Sequence, residues 1–206
     1  NNFEQTLVDL GYDSAVDDFV LTENISGVTG LDVEDKEISD LTGIEDFTAL
    51  TNLRCYDNEL TSLDVSSNTA LTQLWCDENE LTSLDVSSNT ALTQLYCNEN
   101  ELVSINVSNS TALTRLDCDR NALTSLDVSS NTALTDLYCY NNELTSLDVS
   151  ANTALEELYC EDNQLTSLDV SNNTDLIRLI TASNQLTSLD VSNNTSILFL
   201  SFGINS

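Results

Sequence analysis

The stretch Leu60–Glu80, LTSLDVSSNTALTQLWCDENE, returns almost unchanged as Leu81–Glu101, LTSLDVSSNTALTQLYCNENE. Leu60, Leu81, Leu102, Leu123, Leu144, Leu165 and Leu186 open successive copies at a fixed 21-residue period, and such a period has to be settled before any local structure is assigned. Each copy is nested. Leu71-Leu74-Cys76-Asn79 reads LxxLxCxxN, and Leu81-Leu84-Val86-Asn89 reads LxxLxVxxN. Neither half spaces its apolar residues at the helical period; both alternate, with Leu84 and Val86 inward and Ser83, Asp85 and Ser87 outward. The spacing predicts a coil that passes through two short strands per lap. Successive laps then stack in register about 4.8 Å apart as two parallel sheets back to back. No single lap can bury its own leucines, so the array is one folding unit.

Composition narrows the partners. The formal charge is −30 over 206 residues, with Lys36, Arg54, Arg115, Arg120 and Arg178 the only cations. Nucleic acid and anionic membrane are excluded, because no basic footprint exists to displace their counterions. Partners are expected to be neutral or cationic, although the acidity would equally serve solubility in a salty or extracellular setting. Histidine is absent, which removes the usual general base and the commonest metal ligand. No apolar run reaches the 18 or so residues of a membrane span. The opening residues NNFEQTLVDLGYDSAVDD lack the basic-then-apolar layout of a signal peptide; either the protein is not exported or a signal precedes this sequence.

The segments LTQLWCDENEL and LTSLDVSSNTAL resemble leucine-rich repeats, in the short nested 21-residue subclass called IRREKO, found in bacterial surface proteins; the resemblance covers residues 28 to 206. Val28–Ala49 is a 22-residue variant lap whose ISDLTGIEDFTALTNL is similar to the first laps of internalin-type repeats. Residues 1–27 carry Phe3, Leu7 and Leu10 at helical spacing before a break at Gly11, and predict a short helical N-terminal cap. The fold expected is therefore mainly β: a right-handed leucine-rich-repeat solenoid of about eight laps over 28–206. At the far end SILFLSFGINS repeats the phase and stops at Ser206. With no polar cap there, the natural chain is expected to continue, and the open end is the expected site of any self-association.

Several columns are explained by the scaffold. Cys55, Cys76, Cys97, Cys118, Cys139 and Cys160 fall once per lap at one inward position. Parallel side chains do not match disulfide geometry, and a column spreads sulfurs that zinc would need to converge. They read as small buried apolar residues, with Thr181 and Phe202 filling the same slot. Asparagines at 58, 79, 100, 121, 142, 163 and 184, and at 68, 89, 131, 152, 173 and 194, read as turn ladders that bond their own loop and the next lap. Ser110 replaces one member. Thr69, Thr90 and Thr111 are expected to act similarly.

One column poses a chemical question. Asp64, Asp85, Asp127, Asp148, Asp169 and Asp190 should point outward, interrupted by Asn106. Like charges stacked this closely repel. Donors from the flanking serines, raised pKa values or bound calcium, which favours carboxylate and hydroxyl oxygens, would each offset that. Asp13, Asp17 and Asp18 also faintly resemble a calcium loop, without its spacing. No other cofactor is expected.

Function should sit where copies diverge outward. Before each cysteine the residues run Arg54, Trp75, Tyr96, Asp117, Tyr138, Tyr159; after it they run Tyr56, Asp77, Asn98, Asp119, Tyr140, Glu161. The tryptophan and five of the six tyrosines thus share one face with carboxylates. Aromatics with a polar handle serve as interface anchors and, flanked by carboxylates, would also stack on sugars. Cross-lap pairs such as Arg115 with Asp136 and Glu157 with Arg178 would instead merely stabilise the sheet. In leucine-rich repeats the resemblance implies that this strand is the ligand face. It implies a non-catalytic recognition or adhesion module on or outside a bacterial cell, binding a protein, peptide or glycan. The alternative is a calcium-stabilised spacer. Asp117 and Asp119, beside Arg115 and Arg120, form the densest charged cluster, but an open sheet face offers no expected pocket to shift a pKa. No catalytic residue is assigned.

Overall fold

The computed structural model describes residues 2–17 and 19–203. Two short helices lead, α1 (Asn2–Asp9) and α2 (Thr22–Ile25), followed by β1 (Gly30–Asp32), a 3-10 turn at Ile44–Asp46 and β2 (Asn52–Arg54). Then come β3 (Gln73–Trp75), β4 (Ser83–Asp85), β5 (Gln94–Tyr96), β6 (Ser104–Asn106) and β7 (Arg115–Asp117). The last are β8 (Asp136–Tyr138), β9 (Glu157–Tyr159), β10 (Arg178–Ile180) and β11 (Phe199–Ser201). Every LxxLxC segment contributes one strand to a nine-stranded parallel sheet, ordered β1-β2-β3-β5-β7-β8-β9-β10-β11. The register steps one lap at a time, Leu74 opposite Leu95 and Leu95 opposite Leu116. The chain is a parallel solenoid, as the repeat period requires.

The second sheet is smaller than the expected one. Only β4 and β6 pair, with Asp85 opposite Asn106; on the other laps the LDV segment is not regular strand. The reason lies in the one divergent lap, ELVSINVSN. Val103 and Ile105 bring β-branched side chains, which favour strand, and Asn106 takes the place of the aspartate. At Asn106 alone the column is free of carboxylate facing carboxylate, and there the backbones close, Val86 N–H donating to the Asn106 carbonyl at 3.0 Å.

The inward leucines, valines and cysteines from Leu31 to Leu186 join one core, together with Phe3, Leu7 and Ile25 from the leading segment, while Leu198 and Leu200 of the last described lap are exposed. Phe3 packs on Phe47 with ring centroids 6.4 Å apart. Leu10 departs from the helical expectation: α1 ends at Asp9, and Leu10 is 46 % exposed. The six cysteines are free thiols and fully buried. Cys55, Cys76 and Cys97 donate to the backbone carbonyl of the next lap at 3.3–3.5 Å, and burial pushes every thiol pKa up. Thr181 fills the same slot fully buried, whereas Phe202, on the last described lap, is 37 % exposed.

Both asparagine ladders are present. Asn79 Nδ2 donates to the carbonyls of Cys55, Cys76 and Asp77, and its Oδ1 accepts from Leu60 N–H at 3.0 Å. The residue before each such asparagine takes a left-handed backbone, as at Glu78 (φ 51°), Glu99 (φ 51°) and Arg120 (φ 49°), which turns the corner. In the second ladder Asn89 Nδ2 donates to Val65 and Asn68 carbonyls. The threonine ladder is not the expected one. Thr69, Thr90 and Thr111 are exposed, while Thr72, Thr93, Thr114 and Thr135 each donate to the carbonyl of the threonine one lap earlier, at 2.9–3.1 Å. The expected open end at Ser206 lies outside the described residues. Among those described, no helix is long and apolar enough to cross a membrane.

Candidate functional site

Alternation on the nine strands sends Leu and Cys inward and three rows of side chains outward, so the divergent residues form one continuous surface. The row before the cysteines is a column of stacked flat groups. Asp32 pairs with Arg54 at 3.6 Å. The Arg54 guanidinium lies over the Trp75 ring at 5.0 Å, and Trp75 stacks on Tyr96 at 5.6 Å with the planes 5° apart. Arg115, from the neighbouring row, lies between Tyr96 (5.3 Å) and Tyr138 (4.5 Å). Tyr138 meets Tyr159 at 4.9 Å. Parallel in-register strands make this unavoidable, since equivalent side chains repeat at the strand spacing. The rings are half-buried; Trp75 and Tyr96 cover each other's faces, with Arg54 and Arg115 on their outer sides, whereas Tyr138 and Tyr159 meet tilted at 40°.

The expected cross-lap pairs both exist. Arg115 lies 3.9 Å from Asp136 and 3.9 Å from Asp117, and Arg178 pairs with Glu157. Glu157 also accepts the Tyr138 hydroxyl at 2.5 Å. Beside them Asn52 donates to Gln73, and Gln73 to Gln94, at 2.6 and 3.0 Å. At the sheet's rim Arg120 pairs with Glu99 and lies over Tyr140 at 5.6 Å.

The row after the cysteines carries the unusual electrostatics. It begins one lap earlier than the cysteines do, at Glu34 behind Val33, and continues Tyr56, Asp77, Asn98, Asp119, Tyr140, Glu161. A carboxylate thus sits on every second lap, with a neutral hydrogen-bonding side chain between. Tyr56 bonds Glu34, and Tyr140 bonds Asp119. Burial pushes Asp77 up to about 6, and Glu99 and Asp119 add repulsion. Burial and then Asp119 push Asp117 up to about 7; Asp119, only 4 % exposed, and Glu161 are also raised, again chiefly by burial. The expectation that an open sheet face would leave Asp117 and Asp119 unshifted is corrected. No pocket is needed, because the tall side chains of adjacent laps exclude water from the short aspartates between them. Glu34 Oε2, Asp77 Oδ1, Asp117 Oδ1, Asp119 Oδ1 and Glu161 Oε2 are each buried without a hydrogen-bond partner. Glu34 was legible only by running the register back through the variant first lap, where valine replaces cysteine.

The LDV column is arranged in the opposite way. Each of Asp64, Asp85, Asp127, Asp148, Asp169 and Asp190 accepts the backbone N–H of the serine two residues on, at 2.9–3.0 Å. The serine hydroxyl and that amide hold all six carboxyls below their usual range. Among the described residues, the acidic group whose oxygens lie within 4.8 Å of one another is Glu4, Asp13 and Asp17 beside α1. Glu4 there also accepts Asp17 N–H at 2.7 Å. Asp18 lies outside the described residues.

No family model matches the chain. A 51-residue segment is 45 % identical to Internalin J of Listeria monocytogenes serotype 4b (strain F2365), amounting to 25 % of this chain and 6 % of that protein. The solved functional domain of InlJ from Listeria monocytogenes, described as including a cysteine ladder, is 30 % identical; the likeness covers 90 % of this chain and 55 % of that one, with a TM-score of 0.57. A leucine-rich-repeat protein of Leptospira interrogans shares the fold at 24 % identity and a TM-score of 0.83, over 89 % of this chain and 50 % of that one. The chain therefore spans about half the length of these two structures. The resemblances show the leucine-rich-repeat fold.

Proposed function

We propose, from the premise that this chain is a leucine-rich-repeat protein similar to bacterial internalins, that the outer face of its nine-stranded sheet docks a protein or peptide outside a bacterial cell. The observation that carries this reading is the closed stack of rings. A sugar platform needs an open aromatic face, and here Trp75 and Tyr96 have both faces covered by Arg54, Arg115 and each other, and Arg115 covers one face of Tyr138. What remains presented is ring edges, hydroxyls and carboxylates, the amphipathic mixture that protein interfaces favour over bare apolar area. The module is read as non-catalytic: the carboxylates are perturbed by mutual burial along an open row of the sheet.

A randomised peptide display library panned on the protein, with a glycan array run in parallel, tests this reading. Enriched peptides whose binding is lost on Trp75→Ala with Tyr159→Ala support it. Glycan binding without peptide enrichment, or peptides indifferent to both substitutions, overturns it. The calcium-stabilised spacer draws on the clustered Glu4, Asp13 and Asp17 oxygens and on the LDV column. It requires a melting temperature that rises with calcium concentration and not with magnesium at equal ionic strength.

A further inference from the structure

The acidic row has a period that the docking surface itself does not need. Glu34, Asp77, Asp119 and Glu161 recur every second lap, which at the strand spacing places them about 9.6 Å apart. All four keep one carboxylate oxygen buried and without a donor. Buried acceptors are normally satisfied, and an exception calls for an explanation. The second asparagine ladder also leaves its Oδ1 atoms unpaired, but those are neutral amides enclosed between laps. The four acids stand on the outward side of the sheet, where Glu34, Asp77 and Glu161 are partly exposed to a cationic group from outside and Asp119 lies 4 % exposed between them. Their oxygens do not converge as the Glu4, Asp13 and Asp17 oxygens do. A single ion therefore cannot serve them together, and several separate cationic groups can.

Resting on the reading of this face as a peptide-docking surface, we propose that its partner is a polyproline-II segment with lysine or arginine at every third residue, laid along the solenoid axis over Glu34, Asp77, Asp119 and Glu161. The match is one of pitch. Polyproline II repeats its side-chain direction every three residues, about 9.3 Å, so the mismatch against the row is about 0.3 Å per step. An extended β segment repeats its face every two residues, about 6.6–6.8 Å, and falls out of register at once. A helix offers seven residues at about 10.5 Å and drifts by almost 1 Å per step. The adjacent aromatic row adds apolar ring edges and hydroxyls beside the acids, against which the proline rings of such a segment would lie. Trp75, Tyr96, Tyr138 and Tyr159 run beside the acids with their edges outward. A chain of net charge −30 also favours the encounter with a basic segment.

Two synthetic peptides of identical composition test the proposal: four Lys-Pro-Pro units in sequence, and the same residues with the lysines two apart at one end. Fluorescence anisotropy at about 0.15 M salt, where long-range attraction is screened, should give about tenfold tighter binding for the periodic peptide, the equivalent of one well-made charge-assisted hydrogen bond. Asp77→Asn and Glu161→Gln should each remove most of that advantage while leaving the clustered peptide unchanged. Equal affinity for both peptides, or an advantage that survives both substitutions, overturns the proposal. If panned peptides still depend on Trp75 and Tyr159 in that case, the docking face stands and only its partner's chemistry is wrong. If no peptide depends on those residues, the docking reading falls with it.

Discussion

Asp77 and Asp85 sit eight residues apart in consecutive half-repeats, are both outward on a β-like segment, and are built to opposite rules. Asp85 accepts the Ser87 amide at 2.9 Å and is held below the usual carboxylate range. Asp77 has a buried oxygen with no partner and is pushed up to about 6. The same division runs through the molecule: the LDV carboxylates are satisfied from within their own loops, and the acids flanking the cysteines are not. A carboxylate that accepts two local donors stabilises the fold without outside help, whereas one with a buried oxygen left unpaired is a cost that a partner or a proton relieves. Within an otherwise regular array, that inequality separates the scaffold face from the candidate binding face.

If hydrogen-bond satisfaction is what separates them, the heaviest loss should come from a fully enclosed polar group that belongs to neither row. Asn131 is buried completely and donates to the Val107 and Ser110 carbonyls at 3.0 and 2.9 Å. Asn131→Ala abandons both carbonyls in the interior and should cost about 2–4 kcal/mol in chemical denaturation. Asn131→Ser should cost less, because Ser110 occupies the same column and still donates to Val86 at 2.9 Å. Equal losses for the two changes would mean that shape, and not bonding, governs this ladder.

The next effect should have the opposite sign. Burial lifts Asp117 to about 7 in the folded protein, above its unfolded value near 3.9. A group raised in this way favours the fold fully below the unfolded value, and that contribution is lost as pH rises through about 7. Unfolding free energy should therefore increase as pH falls from 8 to 5. Asp117→Asn should stabilise by about 1–2 kcal/mol at pH 8 and by nothing measurable at pH 5. A variant no more stable than the parent at pH 8 would show that Arg115, 3.9 Å away, already compensates the charge.

The fold was largely legible in the sequence, because period and alternation are properties of residue type at fixed spacing. The leucine, cysteine and asparagine columns needed nothing else. What was illegible depends on neighbours one or two laps away. Asp77 and Asp85 are the same letter, and only the height of flanking side chains such as Trp75 and Tyr96 makes one of them dry. The aromatic row was readable as a surface, yet its closed stacking follows from in-register parallel pairing and not from composition. The second sheet was overestimated because alternation speaks for strand, while the repulsion between stacked aspartates acts only between laps.

A smaller effect should appear on the satisfied side. Ser129 donates its amide and its hydroxyl to Asp127, at 3.0 and 2.6 Å. Ser129→Ala removes the hydroxyl and should lower the melting temperature by only about 1 °C, since the pair is exposed. Asp127 is lowered in the fold, so its contribution is present above the unfolded value and lost as pH falls through the folded one. The difference between Ser129→Ala and the parent should accordingly persist at pH 7 and vanish in strong acid. A drop that grew with acid would remove the distinction between the two rows.

The smallest global change is the most local in its reading. β4 and β6 pair only where Asp85 faces Asn106, and Asn106 supports the Asp85 carboxylate from across the lap. Asn106→Asp would restore a carboxylate at this position, opposite Asp85, and like charges directly opposed cost about 0.2–1 kcal/mol. Global melting should hardly move, because the leucines beneath remain packed. The Val86 amide, bonded to the Asn106 carbonyl at 3.0 Å, should however exchange with solvent up to about fivefold faster, the equivalent of about 1 kcal/mol of local opening. The amide of Cys97, on the nine-stranded sheet and bonded to Asp117 at 2.8 Å, should exchange as before. Acceleration confined to Val86 would mean that charge, and not strand propensity, limits the second sheet. Unchanged exchange there would hand the explanation to Val103 and Ile105, whose branched side chains would then be holding the two strands together regardless of what the column carries.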